Sequence, residues 1–167
     1  MLQDIKIVLS MVLNFIYSLS ILGIVTFYSL MGTVAMDRLC IIITEATGFP
    51  REEKMFSAVL SPIVIQNLFW LSIAGGGFCL LFIYLLHKNF VIFWGPATLS
   101  LMLFVLLLIT RIMIINFLPA DLDLVPTTPY ILNVLDRFHI ANISVLVLGI
   151  ILCFLAALGD RYFIKQE

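Results

Sequence analysis

The sequence predicts an all-α fold: a single transmembrane domain over residues 1–167, an integral membrane four-helix bundle of long antiparallel spans with two longer loops on one side. Three observations carry that expectation. The chain is 63% hydrophobic and 11% charged, whereas soluble domains run at about 45–50% apolar and about 25% charged, so a water-soluble core cannot absorb the excess. The charges gather in short segments and leave long uncharged runs between them. Gly48-Phe49-Pro50, Gly95-Pro96, Pro119 and Pro129 lie where helices are expected to start and stop.

The first span is predicted over 7–36, a run without a single charged residue. Thr33-Val34-Ala35 has the look of a secretory cleavage site. A signal's apolar region covers only about 7–15 residues, however, and this run is far longer. At ~1.5 Å per residue it makes ~45 Å of helix against a hydrocarbon core of ~30 Å, so it must tilt or project. Asn14, Ser18, Ser20, Gly23, Ser29, Gly32 and Thr33 punctuate it, and small or hydroxyl residues let helices approach closely.

Residues 37–54 form the first connection. Gly48-Phe49-Pro50 followed by Glu52 and Glu53 is a helix-start signal, since proline and acids both suit the unpaired N–H groups of a first turn. The second span is predicted over 55–86, kinked near Pro62. It carries the amides Gln66 and Asn67, expected to hydrogen-bond between helices, and the thin face Gly75-Gly76-Gly77. Close helix packing is the first reading of that face, and a seat for a flat ligand the second.

His87-Lys88-Asn89 is so short a turn that spans two and three should be antiparallel neighbours. Span three is predicted over 90–111, with Trp94-Gly95-Pro96 as an interfacial helix start. Arg111 at its far end lies within snorkelling reach of the surface, and Asp121 and Asp123 beyond the Leu118-Pro119 break are its expected partners. Thr128-Pro129 reads as the N-cap and first residue of the last helix. That helix should begin at the interface, over about 129–139, and cross the membrane over 138–158. Asn133, Asp136, His139 and Asn142 recur every third residue and wind around it, with Asp136 able to hydrogen-bond His139.

Four spans put both termini on one side. Lysine and arginine number four there (Lys6, Lys88, Arg161, Lys165) and four or five on the other (Arg38, Arg51, Lys54, Arg137 and Arg111), so charge bias does not orient the chain. We take the termini as cytoplasmic. The two halves share a plan of span, acidic connection and span, without a residue-level repeat.

Several chemistries drop out. Net charge is −1 and no basic run grips phosphates, so nucleic acid is not a partner. Cys40, Cys79 and Cys153 make an odd count with no paired motif, which argues against disulfides and zinc; Cys79 and Cys153 read as apolar packers. His87 and His139 sit at span ends on opposite sides, unsuited to a bis-histidine haem. No carboxylate lies within a span to couple protons, and no phosphate loop or nucleophile elbow occurs. One cluster remains: His139, Asp136, Asp121 and Asp123 have the ligand chemistry for a divalent metal at the outer surface.

The segment RFHIANISVLVLGIIL, Arg137 to Leu152, resembles the last helix of the four-span family typified by transmembrane protein 205. In that helix an aromatic or leucine and a histidine precede serine and asparagine and a leucine-rich run. His139, Asn142 and Ser144 carry the resemblance, with Asn before Ser here. It implies a four-span fold and no mechanism.

The residues therefore point to a non-catalytic membrane protein acting as subunit, assembly factor or scaffold. Its expected partners are the lipid bilayer and other membrane subunits or further copies of itself, and no motif implies a cofactor. Two alternatives stand beside it: a metal- or redox-cofactor-binding protein, using His139 and the aspartates or the Gly75–Gly77 face, and a small oligomeric transporter built on Gln66, Asn67 and Arg111.

Overall fold

The computed structural model describes residues 2–31, 62–117 and 128–163. Among them are four α-helices and no strand: α1 (Leu2–Leu30), α2 (Pro62–His87), α3 (Trp94–Phe117) and α4 (Thr128–Phe163), with a 3-10 turn at Phe90–Phe93 leading into α3. Each helix contains a stretch long and apolar enough to cross a membrane: Ile5–Leu30, Ile63–His87, Leu132–Gly159, and Phe90–Asn116, which takes in the 3-10 turn.

Boundaries depart from expectation. α1 starts at Leu2, ahead of the uncharged run. It ends at Leu30, where Met31 N–H still donates to the carbonyls of Phe27 and Tyr28 at 2.9 and 3.2 Å; residues 32–36 lie outside the described residues. So do 55–61, and the described part of the second helix begins at Pro62. α4 is one continuous helix of 36 residues. Its apolar stretch takes in Asp136 and Arg137, so no break separates an interfacial start from the span.

The buried stripe of α1 is Ser10, Tyr17, Ile21, Val25 and Ser29, spaced by four or seven as one helical face requires. It meets α2 on one side and α4 and α3 on the other. Gly23 opposes Ser72, and Gly75 and Gly76 oppose Ser20; Gly149 opposes Ser100 and Leu101, and Gly159 opposes Phe90 and Val91. The central core is Tyr17, Ile21, Val25, Cys79, Phe93, Ala97, Leu107, Ala141, Val145, Leu152 and Ala156.

One expectation is corrected. α2 and α3, although joined by two residues and the 3-10 turn, share no extended interface: α2 packs along α1 and α3 along α4. The connection itself causes this. Lys88 has φ 52°, a left-handed conformation that ends α2 and turns the chain aside, and its N–H donates to the Tyr84 carbonyl at 2.6 Å. Asn89 Oδ1 then accepts from Val91 N–H at 2.9 Å and caps the 3-10 turn. Tyr84, Phe90 and Phe93 close ring to ring over it, with centroids 4.9–6.3 Å apart.

Candidate functional site

Most hydroxyls bond to their own helix. Ser18, Ser20, Ser29, Ser72, Ser100, Thr110 and Ser144 each donate to the carbonyl four residues back, which satisfies them without a neighbour. Tyr17 is different. Its ring is 1% exposed and its hydroxyl lies 2.8 Å from Ser100 Oγ. Since the Ser100 proton goes to the Pro96 carbonyl at 2.9 Å, Tyr17 must be the donor. The result is a buried chain, Tyr17 to Ser100 to Pro96, that ties α1 to α3. Asn14, one turn before Tyr17, lies against Gly95, and its Oδ1 is buried without a partner.

A second polar region lies toward the other end of α3. Arg111 follows Ala97, Ser100 and Leu107 on the buried face of α3; it is half-buried and its Nε is enclosed without an acceptor. The α3–α4 register, fixed by Leu101 opposite Gly149 and Val91 opposite Gly159, puts Arg111 level with His139. His139 is also half-buried, with Nδ1 enclosed and unpartnered. Close by on α4, Asn142 is 0% exposed; its Nδ2 donates to the Phe104 carbonyl at 3.3 Å and its Oδ1 has no partner. Arg137 is committed elsewhere: Nη1 donates to the Met31 carbonyl at the end of α1 and Nε to Asn133 Oδ1 at 3.2 Å. A cation on a helix C-terminus is favourable.

The α3–α4 register thus sets Arg111 at the level of His139, with Asn142 one turn further along α4, and other expected pairings are unmade. Asp136 is exposed and does not bond His139, whose Nδ1 has no partner. Asp121 and Asp123 lie outside the described residues, as does Cys40; among the described residues no three of His, Cys, Asp and Glu come together. Gln66 and Asn67 are exposed and make no hydrogen bond to another helix among the described residues. They stand on α2, which has no extended interface with the Arg111 helix. Gly75 and Gly76 face Ser20, whereas nothing lies within 4 Å of a Cβ placed on Gly77. Only two of the three glycines pack, and α1 already occupies their face. Cys79 is buried and Cys153 half-buried, both free, as packers should be.

Sequence reasoning missed Tyr17, Ser100 and Gly159. A tyrosine inside a long apolar run was the available signal for the first, because a buried phenol needs a partner. The last span is expected over 138–158, yet α4 runs on through Gly159 to Phe163. The missing side chain of Gly159 makes room for the 3-10 turn. Comparison with known proteins finds no family model, no curated protein and no solved structure that matches the chain.

Proposed function

We propose that this protein is an integral, antiparallel four-helix membrane bundle that acts by association, as a subunit, assembly factor or scaffold of a membrane complex. The observation that carries the reading is the outer face of α2. That helix packs along α1 alone among the long helices and turns Gln66, Asn67, Trp70, Ala74, Gly77 and Phe78 outward. Exposed apolar side chains need only lipid. Amides without partners and a glycine with open space around it fit another helix better, because hydrocarbon offers amides nothing and small residues admit close approach. The pairs Gly23–Ser72 and Gly149–Leu101 support antiparallel order. The resemblance of 137–152 to the transmembrane protein 205-like family would add a four-span fold and no chemistry.

The test is extraction of the full chain in mild detergent, with mass measured by light scattering. A complex or oligomer is expected, weakened by Asn67→Leu with Gly77→Leu. A stable lone monomer with no co-purifying protein refutes the reading. The termini are proposed as cytoplasmic; a reporter fused after Glu167 that behaves as extracytoplasmic would reverse this.

A further inference from the structure

We propose that the α3–α4 region carrying Arg111, His139 and Asn142 is a binding site for a phosphate group, supplied by a lipid headgroup or by free phosphate. The inference does not depend on how α2 associates.

A guanidinium stays charged at any physiological pH and presents its donors in a rigid fork. In Arg111 the inner donor of that fork, Nε, is enclosed yet has no acceptor. An enclosed guanidinium donor with no acceptor among the described residues is expensive in an apolar setting. Among the described residues no carboxylate answers it: Asp136, three residues from His139, is exposed and unpaired. Arg137, the other cation at this level of α4, already spends its donors on Met31 and Asn133. The guanidinium from α3 and the imidazole from α4 therefore approach one level from two helices, and both lack a partner. A tetrahedral phosphate accepts from several directions at once and suits that arrangement.

Position agrees with chemistry. Arg111 is five residues before Asn116, where the apolar stretch of α3 ends, so the site is ~8 Å along the axis from that end. A phospholipid headgroup lies within the reach of an arginine there. Asn142 Nδ2 is held by the Phe104 carbonyl and its enclosed Oδ1 is an acceptor, so the donors offered to a phosphate are those of Arg111 and His139.

The experiment uses the full chain in detergent with native mass spectrometry, comparing retention of phosphatidylglycerol with that of a galactolipid that lacks phosphate. Wild type should retain the phospholipid preferentially. Arg111→Gln should lower that retention about tenfold, as loss of one charge-assisted hydrogen bond implies. Arg111→Lys, which keeps the charge and loses the fork, should fall between them and serves if the glutamine variant fails to fold. Lys88→Gln, beyond the opposite end of α3, should change nothing. Melting with added inorganic phosphate separates the sources: Arg111-dependent stabilisation by inorganic phosphate assigns a free anion, and stabilisation by the phospholipid alone assigns a headgroup. Equal retention of the two lipids by wild type, together with no Arg111-dependent stabilisation by phosphate, overturns the site. So does phospholipid retention that is unchanged in both Arg111 variants.

Discussion

Replacing Gly159 by alanine tests the closest approach of a glycine to neighbouring backbone among the described residues. The new Cβ would stand 2.8 Å from Phe90 Cβ, 2.9 Å from Val91 N and 3.1 Å from Phe90 C. Two of those three atoms are backbone. Val91 N is also the donor to Asn89 Oδ1, so the 3-10 turn cannot retreat without loosening its own cap. Overpacking of this kind costs about 1–3 kcal/mol, and the gain in helix propensity on replacing glycine returns about 0.8–1 kcal/mol. A net loss of up to about 2 kcal/mol is expected. Gly76→Ala is the matched control: it too is a buried helical glycine, but its new Cβ meets Ser20 Cβ at an ordinary 3.5 Å, so the propensity gain should survive. Unfolding of both variants in the same detergent, followed by circular dichroism, measures the difference. If Gly159→Ala is as stable as Gly76→Ala, then α4 does not need its glycine to seat the turn, and the account of the α2–α3 connection fails with it.

Other substitutions follow from contacts already described. Ser100→Ala strands the Tyr17 proton in a buried site and should cost about 1–3 kcal/mol, whereas Tyr17→Phe removes the donor and should cost about 0.5–1.5 kcal/mol; a double variant less damaging than the sum confirms the pair in the same unfolding assay. Lys88→Gly relieves a left-handed residue and should stabilise by about 0.5–1 kcal/mol, read as a raised melting temperature. Arg137→Met takes a cation from the end of α1 and should cost about 0.3–1 kcal/mol, with faster amide exchange confined to the last turn of α1.

Helix number and type were legible in the sequence because they depend on composition and on runs of uncharged residues, both of which can be read locally. The start of α3 at Trp94-Gly95-Pro96 was legible for the same reason. Which helix neighbours which was not. Chain proximity made α2 and α3 look adjacent, and the decision rested instead on a single left-handed lysine and an asparagine cap. The polar residues divided in the same way. Arg111 and His139 were recognisable by type, but their common level depends on an α3–α4 register set by Gly149 and Gly159, far along the helices. Ser100 gave no signal at all, since a serine that bonds its own helix and one that also receives a tyrosine proton are written alike.

The bond between Tyr17 and Ser100 has a consequence for synthesis. The two residues are 83 positions apart, so α1 leaves the ribosome with its phenol unpaired and must wait until α3 has been made. α2 emerges first and can join α1 at once through Gly23, Ser20 and the facing glycines, but it brings no group to the phenol. At about 5–20 residues per second the interval lasts roughly 4–17 seconds. During that time the phenol on α1 stays open. A nascent chain stopped before Ser100 should accordingly leave Tyr17 unpaired, and one that carries α3 should bury it.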